Sequence, residues 1–133
     1  MKNVQTRPPS FPQAPLHQPL AWEKQTQWQV LCGDTHHWRM GMYSPKETSR
    51  AELHNLERHD CPELFVLLHG SLTLVIAESS GLREIVLEPH VPVLVAAPHA
   101  GYCPRGPYSG VALVVERDSF DTEYRPARSW IES

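Results

Sequence analysis

Apolar and polar positions alternate with a period of two through much of this chain, the repeat of strands with one face buried. Trp38, Met40 and Met42 alternate with His37, Arg39 and Tyr43, and Ser44-Pro45 closes that stretch. Residues 50–59 alternate again: Ala51, Leu53, Asn55, Glu57 and His59 share one face, and Arg50, Glu52, His54, Leu56 and Arg58 the other. Residues 64–68 are apolar throughout and bounded by Pro62 and Gly70, and a second β-prone segment follows at 72–77. Further short strands are predicted at 28–32, 83–87, 91–96 and 110–116, separated by turn residues such as Gly33-Asp34 and Glu78-Ser-Ser-Gly81. Residues 98–107, rich in Pro and Gly, read as a loop. This pattern predicts an all-β sandwich or barrel.

The 133 residues suffice for one domain with a core of its own. Pro8, Pro9, Pro12, Pro15 and Pro19 deny residues 1–21 both helix and central-strand pairing, so an extended arm is expected there, draped over the domain or a neighbouring subunit. The barrel is assigned to 22–118 and a tail to 119–133, where Ser119 can cap a turn and Pro126 rules out a long helix. The formal charge of −3 comes with scattered Lys and Arg, which argues against nucleic acid and against a polybasic membrane anchor. No apolar run has the length of a membrane span, and three Cys without a CxxC pair suit a reducing compartment, so a cytoplasmic protein is expected. No Ser-His-Asp order, phosphate-binding loop or dinucleotide fingerprint is present.

Chemistry concentrates just before the apolar run. Strand parity places Glu57 and His59 on one face, and extended geometry resumed after Pro62 brings Glu63 round to them. The spacing of His59, Glu63 and Gly70 resembles the first motif of the cupin superfamily, in which two His one residue apart are followed by Glu and, six residues later, by Gly. Glu57 stands where that motif has its first His. The resemblance covers roughly residues 50–116 and implies a cupin-like double-stranded β-helix, a jelly-roll barrel, with a metal held inside. The second cupin motif is Gly, five residues, Pro-x-Gly, two residues and His. Taking 87–90 as its turn puts Pro98 at the Gly and Gly101 at the His, whereas anchoring on Pro98 puts Cys103 at the His. His99 lies beside both, and Cys103 can ligate as thiolate. The candidate ligands are therefore Glu57, His59 and Glu63 with His99 or Cys103, for a divalent Zn, Fe, Mn or Ni. Two carboxylates and one imidazole suit the harder Mn or Fe(II).

The resemblance implies a small polar ligand in the barrel. With metal, such a site activates oxygen or polarises a carbonyl or enediolate. Without it, His59 and a tyrosine such as Tyr102 move protons, as in sugar-nucleotide epimerases and isomerases of related fold. Residues 112–124 are faintly similar to the ending of the keto-sugar isomerases. The alternatives are a non-catalytic ligand-binding or sensing cupin, or a structural dimer with a vestigial pocket. A homodimer is expected because residues 64–68 are apolar on both faces. Tyr102, Arg105 and Tyr108 fall in the loop that a cupin places at its pocket mouth. His36, His37, His54, His69 and His90 are expected at solvent or on the far face, and Cys61 as a small core residue.

Overall fold

The computed structural model describes residues 14–118 and 120–131. Most of the expected N-terminal arm, residues 1–13, and the cap expected at Ser119 lie outside the described residues. Ten strands follow in order: β1 Trp28–Asp34, β2 Trp38–Tyr43, β3 Asn55–His59, β4 Glu63–His69, β5 Thr73–Glu78, β6 Gly81–Val86, β7 Val93–Val95, β8 His99–Tyr102, β9 Val111–Arg117 and β10 Thr122–Pro126. They form two five-stranded sheets, one ordered β1-β2-β9-β4-β7 and the other β10-β3-β8-β5-β6. All named strand pairs are antiparallel. The protein is all-β, and the facing sheets are those of a jelly-roll barrel. No described helix is long and apolar enough to cross a membrane.

Alternation along the inner strands builds the core. On β4, Phe65 and Leu67 are buried, and they join Leu72, Leu74, Ile76, Leu87, Val95, Ala112 and Val114 between the sheets. Gly70 ends β4 with a φ of +76°, and a side chain there would collide with the Ser109 carbonyl. That is why the turn after the apolar run takes glycine. Gly101, inside β8, serves a different need. Its missing side chain lets Tyr43 cross from the facing sheet, since a Cβ would stand 2.7 Å from the phenol oxygen.

Four expectations are corrected. Residues 50–52 form a 3₁₀ turn rather than a strand, and extended structure starts only at Asn55. The loop expected at 98–107 contains β8, whose residues are held as a strand by pairing with both β3 and β5. The tail expected at 119–133 supplies β10, which pairs with β3 from Thr122↔His59 to Pro126↔Asn55. On β2 the polar face lines an internal cavity, through Arg39 and Tyr43. On the other face Trp38 is 37% exposed, although Met42 there is also buried. The interior at this end of the barrel is polar, so the polar face of the strand is the inward one.

A second 3₁₀ turn, Ala127–Trp130, fastens β10 to the sheet. The Trp130 indole N–H donates to the Leu56 carbonyl at 3.2 Å. Arg125 and Arg58 lie over its ring, at 3.7 and 5.4 Å from the centroid. A neutral hydrogen bond and two exposed cation–π contacts together contribute about 1–3 kcal/mol. Trp130→Ala is therefore expected to destabilise the protein by that amount and to raise amide exchange across 122–126 before the rest of the sheet. Uniform exchange across both sheets in the variant would contradict this account.

Candidate metal centre

Three strands bring four ionisable side chains together. On β3, residues two apart point the same way, so Glu57 and His59 both face the interior. β8 sets His99 opposite Glu57 in register. From the facing sheet, Glu63 at the start of β4 points in, its side chain only 5% exposed. Its carboxylate bridges the two imidazoles: Oε1 touches His59 Nε2, and Oε2 lies 3.1 Å from His99 Nε2. Glu57 Oε1 lies 3.5 Å from His59 Nε2 and 3.9 Å from His99 Nε2. One donor atom each from Glu57, His59 and His99 falls within 4.8 Å of the others.

The outer nitrogens decide what the inner ones can do. His99 Nδ1 lies 2.9 Å from the Ala97 carbonyl, which can only accept, so Nδ1 must carry the proton. The Nε2 of a neutral His99 is then a lone pair facing a carboxylate. Burial lowers the pKa of His99, which works against the imidazolium that would satisfy both contacts. His59 Nδ1 meets the Thr122 hydroxyl at 2.7 Å, a partner that can donate or accept. Glu63 Oε1 is buried and makes no hydrogen bond, although His59 Nε2 touches it. The His99 Nε2 lone pair and the Glu57 and Glu63 carboxylates converge with only the His59 ring to donate between them, an excess of acceptors that a cation would satisfy, and the residues present fit a metal ion.

Aromatic rings flank the two imidazoles. Phe120 packs on His59 with centroids 4.5 Å apart, and Phe65 on His99 at 5.6 Å. Burial pushes the Tyr43 phenol far above its ordinary value, so it stays neutral. Burial also raises Tyr124, aided by the charge of Glu57 and the hydrogen bond between the two. Burial alone would raise Glu57, but the His59 hydrogen bond and the His99 and His59 charges outweigh it and hold the carboxyl below its usual value. These residues line a cavity of about 300 Å³, within the range of small-ligand pockets. Arg39 lines it as well, bonded to the buried Glu116 through Nε at 2.9 Å and a terminal nitrogen at 2.7 Å.

Two expected site residues lie elsewhere. Cys103 is fully buried in the core, its thiol donating to the Gly110 carbonyl at 3.5 Å and accepting the Gly110 N–H at 3.4 Å. Burial pushes that thiol up, away from thiolate. Tyr102 has the parity opposite to His99 on β8, so it points out of the barrel and donates to Glu84 at 3.1 Å. It does not line the cavity that holds the histidines. Sequence reasoning missed Arg39, Glu116, Tyr43, Thr122, Phe120 and Tyr124. The signal available for Arg39 and Tyr43 was their shared face on β2, read there as the solvent side.

No family model matches the chain, and no curated protein matches it. Solved structures do. One is a cupin 2 domain-containing protein from Halorhodospira halophila, 18% identical with a TM-score of 0.55, covering 74% of this chain and 66% of that one. Another is Fe(II)-HppE with an alternative substrate, (S)-1-HPP, 13% identical with a TM-score of 0.55, covering 68% and 48%. A third is the DMSP lyase DddQ from Ruegeria pomeroyi DSS-3, 16% identical with a TM-score of 0.52, covering 80% and 52%. The chain spans about half the length of the last two and 66% of the first. At these identities the likeness is one of fold.

The lowered His99 pKa has a consequence for stability. In chelator-treated protein the unfolded chain takes up a proton at the ordinary value of 6.5, while folded His99 does so only at lower pH. Between those values the unfolded state binds more protons. Stability is therefore expected to fall as pH drops from 7 through 6.5 and to level off below the folded value. His99→Gln should flatten that part of the denaturation-midpoint profile. The Glu57 shift acts lower, below 4.5. An unchanged slope near 6 in the variant would refute the assignment.

Proposed function

We propose that this chain, a double-stranded β-helix of the cupin fold, is a metal-binding protein that takes a small polar molecule into its barrel. The observation that carries this reading is the converging set of acceptors: the His99 Nε2 lone pair, set by the Ala97 carbonyl behind it, meets Glu63, whose other oxygen is buried without a hydrogen bond. Glu57, His59, Glu63 and His99 would hold the ion. Two carboxylates balance a divalent charge, and mixed oxygen and nitrogen donors suit Fe(II) or Mn(II), with Zn and Ni also within range. When bound, such an ion supplies Lewis acidity toward an oxygen of the guest. The side chains do the rest. Phe65 and Phe120 flank the imidazoles, Thr122 sets the His59 ring, and Tyr124 orients Glu57. Support also comes from the fold neighbours, which include an Fe(II) protein with a bound substrate and a lyase.

Protein purified without chelator is expected to carry about one divalent ion per chain by elemental analysis, as a single four-donor site requires. His59→Ala and His99→Ala should each lose it. Cys103→Ser should keep it. Thr122→Ala, which acts only through the His59 ring, should weaken uptake roughly 10–100-fold. Protein that arrives metal-free and takes up neither Fe(II) nor Mn(II) on reconstitution would sink the proposal.

The expected homodimer remains part of this proposal. Outward positions of the first sheet, Leu64, Val66, Leu113 and Val115, adjoin Leu94, which is 68% exposed. An apolar patch suits a second identical copy, because a two-fold contact sets like residues near like. Light scattering is expected to give twice the chain mass of 15.1 kDa, and Leu94→Asp to halve it. A monomeric wild type at micromolar concentration would rule the contact out.

A further inference from the structure

The metal reading leaves one charged pair in the cavity wall unused, Arg39 with Glu116. Both Arg39 contacts end on the same oxygen, Glu116 Oε2. Glu116 is 6% exposed and the Arg39 side chain 26%, so the carboxylate is buried and the pair half-buried. The guanidinium lies over Phe120 at 5.0 Å and Trp28 at 5.8 Å from the ring centroids, which fixes its plane. A formal count of the wall gives carboxylates at Glu57, Glu63 and Glu116 against a single guanidinium. Imidazoles that ligate a metal are neutral. The lining is thus doubly negative alone and neutral once a divalent ion is in place.

We propose that Glu116 determines specificity: by neutralising Arg39 it makes the metal-loaded cavity select an uncharged polar guest of the hydroxy-carbonyl class and turn away carboxylates and phosphates. The inference rests on the metal-binding reading above. An arginine facing a ligand cavity would ordinarily attract an anion in bidentate fashion. Here an incoming anion meets a carboxylate already seated on the guanidinium, in surroundings where like charges repel strongly. It would also leave the neutral, aromatic-walled cavity with an uncompensated charge. An uncharged guest meets neither cost. It can accept from Arg39 N–H groups not spent on Glu116 and still offer a hydroxyl or carbonyl oxygen to the ion.

Cobalt(II)-loaded protein, whose visible band reports the ion, can be titrated with glycolamide and glycolate, which share a skeleton and differ in charge. In the wild type glycolate is expected to bind no more tightly than glycolamide, although a carboxylate is the better ligand of the free ion. Glu116→Gln should shift the ratio toward glycolate by roughly tenfold or more, the size of effect expected when a like charge is removed. Adding Arg39→Gln should cancel that gain, which a merely loosened cavity would not do. A wild type that prefers glycolate overturns the proposal, as does a Glu116→Gln ratio that does not move. Should Glu116→Gln fail to fold, the wild-type ratio decides alone. Absence of the cobalt band sinks the metal reading, and this inference with it, before either probe is added.

Discussion

Glu63 is a carboxylate buried between two imidazoles, and the rest of the interior answers to that fact. An ionised carboxylate in the interior is tolerated only when cations or donors surround it. Its Oε2 faces a His99 nitrogen whose ring is oriented by the Ala97 carbonyl, and its Oε1 is buried without a hydrogen bond. The surrounding fold holds the donors on strands of both sheets. Glu57, His59 and His99 come from paired strands of one sheet, and Glu63 from the sheet that faces it.

The barrel divides its interior between packing and chemistry. Phe65 belongs to both parts, joining the apolar cluster while its ring meets His99 and, at 6.2 Å, Tyr43. On one side of it the sheets enclose Leu67, Leu72, Leu74 and Ile76. On the other the inward positions are Arg39, Tyr43, Glu57, His59, Glu63 and Glu116. The apolar part carries the hydrophobic stabilisation that offsets the cost of gathering these polar groups.

This division explains how much of the molecule was legible in its sequence. Strand parity put Glu57 and His59 on one face, and both line the cavity. The apolar run and Gly70 marked β4 and its turn, because burial and a positive φ leave plain traces in residue type. β8 left none. His-Ala-Gly-Tyr has no β-branched residue and follows Pro98, so it reads as loop; it is a strand because β3 and β5 clamp it from both sides. β10, Thr-Glu-Tyr-Arg-Pro, is polar on both faces because it is an edge strand beside a polar cavity, and such a strand has no apolar period to detect.

The hidden strands carry His99 and Thr122: His99 was an expected ligand, but the strand that positions it, and Thr122 behind the His59 ring, were not expected. Beside His99 on the same strand, Gly101 leaves room for the Tyr43 ring and for Leu72. A residue that positions a ligand from the edge needs a hydroxyl, as Thr122 has, where an ordinary strand would offer an apolar side chain to the core. The polar inward residues Arg39, Glu116, His99 and Thr122 all line one cavity, among residues whose polarity is bought by the apolar core behind Phe65. A sheet that turns its polar face inward is therefore informative in itself. Among strands of alternating pattern, the one whose inward side carries Arg and Tyr marks the open end of the barrel.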